Sequence, residues 1–141
     1  MDYREWESAV SQPIKDDPLW TLRVYRMALF AGDWSARDAD KIANHPGRVR
    51  LADQLRRAVE SISANIAEGF SRLSARERAQ FLEYALGSAR EARDWYFKAR
   101  ETLGNDNTEL RLEQLGHIIR ILTTLIHRAR TPAARRNAGT R

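Results

Sequence analysis
Residues 55–70 constrain what this chain can fold into more than any other stretch. Leu55, Val59, Ile62, Ile66 and Phe70 recur at steps of three and four, which draws an apolar stripe along one face of a helix. Asn65 falls at the edge of the stripe, and Ser61 and Glu68 sit a turn to either side. Gly69 is expected to stop this helix, because glycine tolerates the left-handed geometry of a C-terminal cap. Polar groups beside a buried stripe need partners, since an unpaired buried donor or acceptor is costly. The rest of the chain has to supply them.

Other segments read the same way. Asp17-Pro18 is a helix start, with Asp17 as N-cap and Pro18 at the first helical position. A first long helix is expected from Pro18 to about Asn44, ended by Pro46-Gly47. Its opening, Leu19 to Phe30, is apolar around more than one face. Gly32, Ala36, Ala39 and Ala43 form a later stripe of small residues suited to close helix approach. The second helix spans Arg48 to Glu68. Ser74 and Glu77 make a capping box for a third, running to Leu103 before Gly104-Asn105. Its inner seam is Leu82, Ala85, Ala89, Ala92, Tyr96, Ala99 and Leu103. Trp95, Tyr96 and Phe97 cannot all face one core, because consecutive helical residues lie about 100° apart. A fourth helix from Asn107-Thr108 to Arg130 carries Leu112, Leu115, Ile118, Ile119, Leu122, Leu125, Ile126 and Ala129, and Thr131-Pro132 ends it.

The expected fold is all-α, an antiparallel up-down-up-down four-helix bundle. Residues 1–15 form an N-terminal extension with a helical turn near Tyr3–Val10. Residues 16–130 form the bundle, and residues 131–141 a disordered basic tail. The length of 141 residues suits one core. The absence of cysteine excludes disulfides, thiolate metal sites and cysteine nucleophiles. No apolar run approaches a membrane span and the N-terminus lacks a secretory signal, so a soluble cytoplasmic protein with no membrane partner is expected.

The net charge of +5 is unevenly placed. All 19 acidic residues lie at or before Glu113, whereas residues 115–141 hold six arginines and no acid. Arg120, Arg128, Arg130, Arg135 and Arg136 make this end the candidate nucleic-acid-binding face, since arginine forks pair with phosphate oxygens. The competing reading is that they complement the helix dipole and keep the end soluble. A second candidate set is polar: Arg57, Ser61, Asn65 and Glu68 on the second helix, facing Ser88 and Glu91 on the third. It reads as a ligand site or as a buried network that fixes helix register, and the second reading is the stronger.

Enzymatic readings fare poorly. Di-iron bundles need Glu-x-x-His on two helices, and this chain has none. Glu113 and His117 are spaced to chelate but lack companions; His45 and His127 read as a loop histidine and a helix-end histidine. No catalytic triad, phosphate loop or nucleotide motif is present, so no enzyme, metal or cofactor is expected.

Two motifs carry a resemblance. Leu55-Arg56-Arg57-Ala58, Ser61-Ile62, Asn65-Ile66-Ala67-Glu68-Gly69, Arg72 and Ser74 resemble the signature of the bacterial proteins encoded in 23S ribosomal RNA intervening sequences, often labelled S23 ribosomal proteins. Phe81-Leu82, Ala85-Leu86-Gly87-Ser88 and Glu91 are similar to that family's second motif. With the helix layout, the resemblance covers roughly residues 19–129. Ser63 stands where the family often has proline, and Ala92, Asp94 and Trp95 follow Glu91 where it tends to continue with leucines. The family is similar in fold to the accessory variability proteins of diversity-generating retroelements, which form pentameric barrels and bind nucleic acid and a reverse transcriptase. The resemblance implies a ring-like homopentamer without catalytic activity and with RNA or DNA as a partner. Leu19, Trp20, Leu22, Val24, Met27, Trp95 and Phe97 are the candidate oligomer interface. An assembly module that docks an unidentified protein partner, with no nucleic-acid role, is the alternative.

Overall fold
In the computed structural model of the chain, residues 1–131 are described. Their regular elements are α1 (Tyr3–Ala9), α2 (Gln12–Lys15), a 3-10 turn (Pro18–Thr21), α3 (Arg23–Ala43), α4 (Val49–Phe70), α5 (Ala75–Lys98), α6 (Arg100–Leu103) and α7 (Asn105–Arg130). Among the described residues there is no strand. The expected tail, with Arg135 and Arg136, lies from residue 132 onward outside the described residues.

Four helices are long, and their apolar faces make one core. Leu55, Val59, Ile62 and Ile66 of α4 are buried, as are Ile118, Ile119 and Leu122 of α7 and the whole expected α5 seam. Burying each leucine or isoleucine contributes about 1.5–3 kcal/mol. Helix α3 packs on α4, α4 on α5, and α5 on α7, while α3 and α7 meet over a smaller area. Gly69 lies against Phe81 and Ser61 against Ser88, so α4 and α5 run antiparallel. The short connection 44–48 turns α3 back into α4 in the same way. Among the described residues no helix is long and apolar enough to cross a membrane.

The structure differs from the sequence reading in several places. The first long helix does not begin at Pro18. Residues 18–21 form the 3-10 turn, and Leu22 is extended (φ −78°, ψ 111°) before α3 starts. Side chains make this turn self-sufficient: Asp17 accepts from the Leu19 amide at 2.9 Å, Thr21 donates to the Pro18 carbonyl at 2.7 Å, and Arg26 donates to the Trp20 carbonyl at 2.6 Å. Once those groups are satisfied locally, a continuous helix gains nothing.

Gly69 does not cap α4 but lies inside it, without a positive φ. A Cβ there would stand 3.1 Å from the Phe81 Cβ and 3.3 Å from the Arg78 carbonyl oxygen. This glycine serves close helix approach. The expected small stripe on α3 is offset as well. Val24, Ala28, Ala31, Ser35, Ala39 and Ile42 are buried, whereas Gly32 faces open space. The third helix breaks at Ala99, and α6 carries Leu103 back onto the same core.

The N-terminal extension is docked. Asp2 and Glu5 close a capping box on α1, and Trp6 is 5% exposed against Phe30 and Trp20. Its indole N–H donates to Asp33 at 2.6 Å.

Candidate nucleic-acid interface
The second half of α7 has two faces. Leu115, Ile118, Ile119 and Leu122 turn into the core. His117, Arg120, Ile121, Thr124, Leu125 and Arg128, spaced at three and four, line a shallow groove of about 310 Å³. Arg120, Thr124 and Arg128 are exposed. Ile121 and Leu125 pack partly on the core, so the groove floor is apolar and its polar groups are two guanidinium groups, a hydroxyl and an imidazole. Helical periodicity alone brings these residues together.

Arg130 lies off this stripe and bonds to Glu83 of α5. That hydrogen bond, more than the attraction of opposite charges, holds the Glu83 carboxyl below the usual carboxylate range and raises the Arg130 pKa further. Of the five expected arginines, the groove therefore takes Arg120 and Arg128. Arg130 is turned to α5, and Arg135 and Arg136 are outside the described residues.

The polar set on α4 and α5 is smaller than expected. The Ser61 and Ser88 hydroxyls hydrogen-bond across the helix interface, and the Asn65 amide donates to the Ser61 carbonyl at 2.9 Å. Arg57 instead pairs with Asp53 at 3.1 Å on the surface, and Glu68 with Arg72 at 3.4 Å. Glu91 accepts from the Trp95 indole at 3.4 Å. At about 100° per residue, Arg57 and Glu68 fall nearly opposite the Leu55–Ile66 stripe, so they cannot share its interface.

The candidate oligomer residues are also sorted. Val24, 1% exposed, is closed inside the chain's own core and has no surface to offer a second copy. Leu19, Leu22, Met27 and Trp95 are partly buried against that core, and Trp20 stacks on Trp6. Phe97 stays 53% exposed, its ring covered by the Arg100 guanidinium at 4.3 Å.

Sequence reasoning missed the most buried ionic group. Tyr96 donates to Asp38 at 2.8 Å, and Arg111 Nε donates to the same Asp38 oxygen at 2.7 Å. The guanidinium also reaches Gln114 at 3.0 Å and lies 4.4 Å over the Trp34 ring. Burial, then the neighbouring Asp38 carboxylate, pushes the Tyr96 hydroxyl far above its ordinary pKa. The available signal was one acid, Asp38, among the buried residues of α3, and one arginine beside Leu112 and Leu115. Asp38 accepts from both partners, so this group ties α3, α5 and α7 together. Among the described residues no three His, Asp or Glu side chains form a metal-ligand set.

These features define an all-helical protein with a basic groove along α7. Residues 21–124 match the family model of the 23S rRNA-intervening sequence protein, and the chain belongs to that family. The fold is similar to the crystal structure of a protein of unknown function from the S23 ribosomal protein family of Bacteroides thetaiotaomicron VPI-5482, with a TM-score of 0.69 and 22% identity. That likeness covers 73% of this chain and 97% of the other. No curated protein matches the chain.

Proposed function
We propose that this protein is a non-enzymatic nucleic-acid-binding scaffold that grips the phosphate backbone of RNA or DNA through α7. The observation that carries the reading is the alignment of His117, Arg120, Thr124 and Arg128 along one groove, on a helix half that contains no acid. Two forked guanidinium groups two turns apart on one face suit a phosphate chain, and they carry no base preference. The four long helices act as an up-down-up-down four-helix bundle, and a cytoplasmic ring-like homopentamer repeats the groove five times. Repetition multiplies a modest local charge into a field that attracts polyanions.

A pure assembly module is the second reading, favoured by Leu73 at 96% exposure beside the exposed Phe70 in the α4–α5 connection. Titration of structured RNA and duplex DNA across a salt series, with size-calibrated protein, separates the two. Binding that weakens steeply with salt and is lost in Arg120→Ala/Arg128→Ala supports the scaffold. No binding at low salt leaves the assembly module.

A further inference from the structure
A second groove lies at the other end of the long helices, between the start of α4 and the end of α5. Gly47, Arg50, Leu51, Gln54 and Trp95 line about 480 Å³ of it. Trp95 is the feature that needs a reason. Tyr96, its neighbour, is fully buried, whereas Trp95 is only partly buried and borders the groove. Its ring is pinned by residues one turn before and after it. Glu91 accepts from the indole N–H, and the Lys98 ammonium lies 4.7 Å from the ring centroid, itself bonded to Asp94 at 2.6 Å. A ring held in this way is a preformed platform rather than a loose side chain.

The rest of the lining has complementary chemistry. Leu51 continues the apolar wall, Gln54 brings an amide that both donates and accepts, and Arg50 is exposed. Among the described residues Arg50 has no ion-pair partner, in contrast to Arg56, Arg57 and Arg72. Gly47, at φ 77°, turns the chain at the rim and leaves open space where a side chain would stand.

We propose that this groove binds a nucleotide unit, with the base stacked on Trp95, its edge read by Gln54 and its phosphate paired with Arg50. Every base has a π-face, so stacking of this kind tolerates any sequence. Bases inside a duplex are already stacked and cannot enter, so the site selects single strands or free nucleotides. It is separate from the α7 groove, which needs only backbone phosphates.

The test uses the full chain and three probes at one salt concentration: a fluorescein-labelled oligouridine, a duplex RNA of equal length, and uridine monophosphate. Trp95→Ala is expected to weaken oligouridine binding roughly 5- to 150-fold and to leave duplex binding unchanged. Trp95→Phe, which keeps a smaller ring and guards against a folding defect, retains part of the affinity. Arg50→Ala weakens oligouridine and, in a parallel salt series with that probe, lowers its salt dependence. Uridine monophosphate that binds and responds to Trp95→Ala assigns the site to free nucleotides, and a response from oligouridine alone assigns it to strands. Unchanged oligouridine affinity in Trp95→Ala overturns the proposal, as does an equal loss for duplex. A changed assembly mass in Trp95→Phe overturns it too, and makes the groove a subunit contact. The α7 reading fails independently: Arg120→Ala/Arg128→Ala without effect on duplex sinks that reading and leaves this site standing.

Discussion

Asp38 and Arg111, 73 residues apart, are joined by an Nε–Oδ2 bond of 2.7 Å at the thin α3–α7 contact. The carboxylate is nearly buried and also accepts from Tyr96, so one acid satisfies groups on two other helices. Removing one member of such a group strands the remaining charge. Asp38→Ala is expected to lower stability in urea by about 3–5 kcal/mol. Asp38→Ala/Arg111→Ala should lose less than the sum of the single variants, because the second change removes the stranded charge. Additive losses would show that the pair does not act as a unit.

Tyr96 sets a pH dependence. Its folded pKa is raised, chiefly by burial and then by Asp38, whereas an unfolded tyrosine titrates near 10. Its contribution is complete below about pH 10 and is lost as pH rises above that value, because the native state keeps a proton that the unfolded state releases. Relative to Tyr96→Phe, the protein should lose about 1.4 kcal/mol per pH unit above that point. Urea midpoints measured from pH 8 to 11.5 decide it, and parallel curves for the two proteins would contradict the assignment.

Two helical glycines should respond with opposite sign. At Gly69 a Cβ meets backbone-anchored atoms of α5 at 3.1 and 3.3 Å, which no rotamer change relieves. Overpacking of this kind costs about 1–3 kcal/mol, against a helix-propensity gain of about 1 kcal/mol. Gly69→Ala is therefore expected to be destabilising. Gly87, exposed on α5 with nothing within 4 Å, has only the propensity gain. Gly87→Ala should raise stability by about 1 kcal/mol. Thermal melts of both variants test the contrast.

These positions show which parts of the molecule periodicity can reveal. The seam from Leu82 on α5 to Leu103 on α6 was legible because every member lies on one stripe, and burial follows the stripe even across the break at Ala99. The Ser61–Ser88 contact and the outward turn of Phe97 were legible in part, from facing motifs and angular spacing. The role of Gly69 was not, because a glycine near a helix end reads the same whether it caps the helix or admits a neighbour. Local spacing also says nothing of pairs such as Asp38 and Arg111, which meet only once three helices have packed. On α7 the sequence showed the charge, but only the helix phase separated Arg120 and Arg128 from Arg130.

The N-terminal arm lies outside the span matched by the family model, which begins at residue 21. Trp6 anchors it through its bond to Asp33 and its contacts with Phe30 and Trp20. Trp6→Ala should release α1 locally more than it lowers global stability, since the core of the four long helices is untouched. Limited trypsin digestion is expected to cut faster at Lys15 in the variant, with a melting temperature within a few degrees of the parent. A cooperative loss of the whole fold would show that the arm belongs to the core.

The α7 groove makes a quantitative claim about salt. Each phosphate neutralised contributes about −0.9 to the slope of log affinity against log salt for duplex DNA, and about −0.7 for single strands. Removal of both Arg120 and Arg128 should therefore flatten the duplex slope by about 1.8 per chain engaged. Arg130 should contribute little, because Glu83 already neutralises it. Glu83→Gln removes that partner and is expected to steepen the slope by up to about 0.9 and to tighten binding at low salt. Equal slopes for the parent and Arg120→Ala/Arg128→Ala would place the phosphate contacts elsewhere on the molecule.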